Sequence, residues 1–113
     1  MIFVTGPLFA GKQEYICKSL GWTEAEFQAN GVRDVENLAA GSEDLERLAE
    51  ELSACRVVIA TEVGGGVVPV DPQVRRERER AGRLACLLAA RADTVGRVCC
   101  GIPQVLKGTM PCG

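Results

Sequence analysis

Residues Val57 to Thr61 form an apolar, mostly β-branched run with no polar alternation. A strand wetted on one side alternates; a strand that does not is buried on both faces, as inside a parallel sheet. Parallel strands need crossover helices, so this run commits the chain to an α/β layer fold with a small, mainly parallel sheet. Ile2 to Thr5 and Val95 to Cys100 supply companion strands. Between them, Lys12 to Leu20 reads as a helix with Tyr15, Ile16 and Leu20 on one side. Thr23 and Glu26 form a capping box for a short helical turn ending near Asn30-Gly31, and Val32 to Val35 follow as a short strand. Ser42 is placed to cap a helix in which Leu45, Leu48, Ala49 and Leu52 recur at three- and four-residue steps. Asp71-Pro72 starts a longer helix running to about Ala92, after the pliant connector Gly64 to Gly66. Its stripe is Val74, Ala81, Leu84, Leu88 and Ala92, but the charges from Arg75 to Arg80 keep its first portion out of the core. With 113 residues, the chain has room for one domain, 1–113, and none for a second.

The segment Gly6-Pro7-Leu8-Phe9-Ala10-Gly11-Lys12 fits GxxxxGK and lies between a strand and a helix, the context a phosphate loop requires. Gly6 and Gly11 let backbone approach a phosphate, the helix N-terminus supplies positive potential, and Lys12 adds a point charge. The plainer alternative is a glycine turn beside a surface lysine. Gln13 stands where the motif places Ser or Thr, whose hydroxyl would meet Mg²⁺, so magnesium at this loop is in question. Pro7 removes one N–H donor.

Glu62 ends the buried strand at the carboxyl edge, where open parallel sheets bind ligands. It is a candidate magnesium ligand or proton acceptor, against the alternative of a carboxylate that caps a loop. Arg75, Arg76, Arg78, Arg80 and Arg83 crowd the next helix, and one or two of them are candidates for an anionic ligand, against a solvated, salt-bridged helix face.

Charge is uneven. Residues 1–62 carry 5 Lys/Arg against 11 Asp/Glu, and residues 63–113 carry 8 against 4, so an anion is expected to meet the second half. No apolar stretch approaches the ~20 residues of a membrane span, no signal peptide opens the chain, and the expected location is the cytoplasm. The six cysteines include no CxxC pair and are expected to be reduced, mostly buried thiols. There is no histidine, which excludes imidazole bases, imidazole ligands and histidine-linked intermediates. Negative net charge and few aromatics argue against nucleic acid.

The block Thr61-Glu62-Val63-Gly64-Gly65-Gly66-Val67-Val68-Pro69, with Arg75, Arg78, Gly82-Arg83, Leu88-Ala89, Ala92-Asp93, Val95, Gly101-Ile102-Pro103 and Lys107, resembles the adenosylcobinamide kinase/adenosylcobinamide-phosphate guanylyltransferase family. So does the opening strand, Thr5-Gly6 and loop. The resemblance implies a three-layer, RecA-like P-loop NTPase fold, ATP or GTP as ligand, a corrinoid partner and a homotrimer. It assigns catalytic roles to Lys12 and Glu62, with Glu62 also the metal ligand, and nucleotide contacts to Gly6, Gly11, Lys12, Gln13, Arg75, Arg78 and Arg83. The family loop usually reads GGxRSGKS, from which Pro7, Phe9, Ala10 and Gln13 depart. The Asn-Gln that commonly follows Gly-Arg is Ala85-Cys86 here. The family's guanylylated histidine lies between the loop helix and the glutamate strand, where this chain has none. The expectation is a shortened nucleotide-binding domain that retains at most the kinase half of the family chemistry. The alternative is a catalytically inert assembly or regulatory module.

Overall fold

The structure is a computed structural model that describes residues 1–62 and 71–110. Strands β1 (Ile2–Gly6), β2 (Gly31–Val32), β3 (Val57–Thr61), β4 (Thr94–Cys99) and β5 (Ile102–Lys107) form one sheet in the order β2-β3-β1-β4-β5. The first four run parallel, and β5 returns antiparallel to β4. Helices α1 (Lys12–Leu20), α2 (Glu24–Asn30), α3 (Glu36–Ala40), α4 (Leu45–Leu52) and α5 (Pro72–Arg91) make the connections.

The two-residue period of a strand divides the core in two. Phe3, Val58, Ala60 and Val95 face one side, against Val35, Ala39, Leu45, Ala49, Leu52, Ala81, Leu84 and Leu88 from the segments of α3, α4 and α5. Val4, Val57, Ile59 and Val98 face the other, against Ile16 of α1, Phe27 of α2 and Met110. Helices therefore cover both faces, and β1 and β3 are shared walls, as their unbroken apolar runs require. Each fully buried Val or Leu in these walls contributes about 1.5–3 kcal/mol over leaving it exposed.

Local chemistry sets the helix ends. Thr23 and Glu26 make the reciprocal capping box at α2. The Asp71 side chain accepts from the Gln73 N–H, with Pro72 at the first helical position of α5. Gly21, left-handed at φ 70°, closes α1.

The structure corrects several sequence expectations. The strand expected over Val32 to Val35 stops at Val32, because Asp34 takes φ 56° and turns the chain into α3. Helix α4 is capped by Asp44, which accepts from the Arg47 N–H, while the Ser42 hydroxyl donates to the Asp44 carbonyl instead. Val74 is exposed and does not join the α5 stripe. Residues 102–107, where no element is expected from sequence, are β5, entered through a two-residue turn in which Cys100 and Gly101 are both left-handed. The expectation of mostly buried thiols is not met: Cys86 and Cys100 are exposed and Cys17, Cys55 and Cys99 half-buried. Cys100 sits on the turn and Cys86 on the outer face of α5. The Gly64 to Gly66 connector lies outside the described residues.

Candidate nucleotide site

Because β1 to β4 are parallel, their C-terminal ends share one edge, and the chain's unusual residues collect there. Gly6 to Lys12 forms the loop between β1 and α1. Gly6 has φ 156°, and a Cβ there would lie 2.1 Å from the Val98 carbonyl oxygen, so only glycine fits between loop and β4. Phe9 and Gly11 are left-handed, at φ 58° and 79°, and Gly11 is the N-cap residue of α1.

Four of the loop's carbonyls, those of Gly6, Pro7, Ala10 and Gly11, meet donors. Gly6 O accepts from the Glu62 N–H at 2.8 Å and Ala10 O from the Gly101 N–H at 2.8 Å. Gly11 O accepts from the Tyr15 N–H at 2.9 Å, and Pro7 O from Lys12 Nζ at 2.7 Å. The positive end of the α1 dipole faces this loop, because α1 starts at Lys12. Lys12 is only 8% exposed, held as the first residue of α1 with its ammonium folded into the loop. Leu8 and Phe9 point outward, Phe9 at 94% exposure.

A cleft of about 540 Å³ opens against this loop. The loop and the first turns of α1 bound it on one side, and Arg33, Asp34, Ile59 and Thr61 on the other. Gln13 does not stand free in it. Its Oε1 accepts from Arg33 Nη1 at 2.8 Å and its Nε2 donates to Glu24 Oε2 at 2.9 Å. Both ends of the amide are thus engaged, and the polarity of its two partners leaves one orientation. Cys17 also lines the cleft, where burial, and then the Glu24 carboxylate, push its thiol pKa upward.

Glu62 follows β3 beside the loop, and Arg97 of β4 holds it. Nε and Nη2 of Arg97 donate to Oε1 and Oε2 respectively, the second at 3.2 Å. The hydrogen bond and charge of Glu62 push the Arg97 pKa further up. Next to Glu62, the Thr61 N–H is received by Glu36 Oε1 at 2.8 Å, which ties α3 to the same edge.

Gly11, Lys12 and Gln13 line the cleft, Gly6 anchors its loop and Glu62 flanks that loop. The helix arginines lie elsewhere. Arg78 lines a depression with Glu36, Asn37 and Ala81, and Arg83 lines one with Leu45 and Arg80. Arg75 is an exposed residue in the first turn of α5. Among the described residues the arginine that lines the loop cleft is Arg33, which sequence reading passed over. No local signal marks it: it follows β2, whose parallel pairing with β3 carries it to the carboxyl edge, and its partner Gln13 is 20 positions away. Among the described residues no group of three or more His, Cys, Asp or Glu side chains is arranged to hold a metal ion, and no helix is long and apolar enough to cross a membrane.

A glycine loop joining the first strand to a helix, at the carboxyl edge of a parallel sheet covered on both faces, defines an α/β protein of phosphate-loop-like design. Its sequence matches a known family pattern over residues 17–106. The chain belongs to the cobinamide kinase / cobinamide phosphate guanyltransferase family. The matched span begins after Lys12, so the case for the loop rests on its own residues and geometry. No curated protein matches the chain.

Proposed function

We propose that this chain is a shortened, RecA-like P-loop member of its family that binds ATP or GTP in the loop cleft and keeps a kinase-type step. The transferred group would be the terminal phosphoryl, passing to the hydroxyl of a cobinamide-type corrinoid. The carrying observation is the Gly6–Lys12 loop, four of its carbonyls turned onto donors and its lysine at the N-terminus of α1, opening on the cleft. In this reading Gly6, Gly11 and Lys12 hold the phosphates, Gln13 serves them through the partners its amide engages, and Glu62 takes the proton from the attacking hydroxyl as the O–P bond to the leaving diphosphate breaks. Glu62 is also the residue best placed to take a metal, once Arg97 releases it. Arg75, Arg78 and Arg83 are assigned to the cleft of a neighbouring copy in a cytoplasmic homo-oligomer. Guanylyl transfer through histidine has no residue to carry it, since the chain has none.

Calorimetry and thermal shift with ATP, GTP and their diphosphates, with and without Mg²⁺, test the binding step. Saturable triphosphate binding is expected, and absence of binding at millimolar ligand overturns it. A second reading, an inert assembly or regulatory module, is favoured by the engagement of both Glu62 oxygens with Arg97 and of both ends of Gln13. Nucleotide binding with no phosphorylated cobinamide formed in single-turnover assays selects that second reading.

A further inference from the structure

We propose that Arg33 is the second phosphate-binding cation of the loop cleft and the residue that selects a triphosphate over a diphosphate; this rests on the nucleotide-binding reading above. Arg33 leaves the end of β2 at the carboxyl edge and lines the same cleft as Lys12. Its Nη1 lies 2.8 Å from Oε1 of Gln13, the residue directly after Lys12, so the guanidinium stands one side chain from the first turn of α1. Gln13 is fixed from its far end by Glu24, which makes the amide a spacer that positions the arginine. In the GxxxxGK design, the residue after the lysine serves a cation beside the β and γ phosphates. Here that residue delivers a guanidinium instead.

The remaining contacts of Arg33 leave it able to change partners. Its side chain is 60% exposed, and its Nε sits 3.8 Å from Asp34 Oδ2, a long and solvated pair worth little. A phosphoryl group accepts two parallel N–H bonds from a guanidinium and competes well against such a pair. The two cations also stand at different depths: Lys12 is buried within the loop, whereas Arg33 is at the outer wall. A diphosphate seated on the loop engages the first, and a third phosphate extends to the second. Glu14, Glu24 and Asp34 line the same cleft and repel any anion that lacks both contacts, which sharpens the discrimination.

The test is calorimetry of ATP, ADP and inorganic tripolyphosphate, each with Mg²⁺ and with EDTA, on the wild-type chain, Arg33→Gln, Arg33→Lys and Lys12→Ala. Arg33→Gln is expected to weaken ATP and tripolyphosphate about tenfold or more while changing ADP little, in both salts, as loss of a charged hydrogen-bonding partner implies. Arg33→Lys, which keeps charge without the fork, falls between. An unchanged melting temperature for Arg33→Gln excludes unfolding as the cause, as expected for so exposed a residue. Equal losses for ATP and ADP, or no loss for either, overturn the role of Arg33 and leave nucleotide binding intact. A wild-type chain that binds none of the three overturns both.

Discussion

Arg97 reaches across the end of β1 to hold both carboxylate oxygens of Glu62, tying β4 to β3 over the strand that carries the glycine loop. Both side chains are more than a third exposed, at 38% and 37%, so solvent screens the pair. Arg97→Gln should therefore cost under about 1 kcal/mol in urea unfolding, and less still at high salt. Its effect on turnover should be the opposite of that of its partner. Glu62→Gln should lower phosphoryl transfer by about 10²-fold or more, whereas Arg97→Gln, which releases the carboxylate, should preserve or raise it. Equal losses in both variants would show that the pair acts as a unit.

Lys12→Ala removes the ammonium and its bond to the Pro7 carbonyl. Nucleotide affinity should fall by about tenfold or more, with a smaller loss of stability because Pro7 O then turns to water. Calorimetry and a urea titration on the same preparation separate the two effects. Undiminished affinity would take the loop out of the binding site.

Gln13→Ser restores the hydroxyl that serves a magnesium ion and breaks the chain from Arg33 through Gln13 to Glu24. The expected result is stronger nucleotide binding in Mg²⁺ and weaker binding in EDTA, read by titrating each condition, with any kinase activity raised. A variant that responds identically in both would show that the identity of residue 13 does not govern metal use.

Gly96 lies under the Met110 side chain, and a Cβ there would come within 2.5 Å of its sulfur. Gly96→Ala should cost about 1–3 kcal/mol through overpacking. Because the obstacle is a flexible side chain and not backbone, most of that cost should vanish in a Met110→Ala background. A double-mutant cycle by denaturant unfolding measures this coupling.

Arg80 is an arginine of α5 with a structural task. Its Nε donates to the Ala39 carbonyl at 3.0 Å and its Nη2 to the Ser42 carbonyl, which closes the C-terminal end of α3. Arg80→Ala should cost about 1–3 kcal/mol, while Arg76→Ala on the solvated face should be near neutral, both measured by urea unfolding.

What could be read from sequence was whatever short-range chemistry decides. The β-branched run at Val57 to Thr61 and the Asp71-Pro72 start need no distant partner to be recognised, and each appears where expected. The same is true of the capping box at Thr23 and of the loop ending in Gly11-Lys12. Strand β5 was hidden because all six of its residues are exposed, leaving no inside-outside period, and Pro103 argues against a strand. Helix α3 has five residues and no side-chain cap, too little pattern to notice. Arg33 and Arg97 were invisible for a third reason: each acquires its meaning from a contact that the order of the strands creates, one with Gln13, 20 positions away, and the other with Glu62, 35 positions away. Among the five closely spaced arginines of α5, sequence could not single out Arg80, since its partners are carbonyls about 40 positions away.

The glycine loop is pinned at two points, Gly6 by the start of the segment after β3 and Ala10 by the β4–β5 turn. Each backbone residue ordered in this way gives up roughly 1–2 kcal/mol of conformational freedom when the chain folds. A ligand arriving later does not have to supply that ordering again. The loop's shape is preorganised, so affinity depends on what the side chains at its rim must rearrange, and the entropy of binding should report chiefly on Arg33 and Phe9.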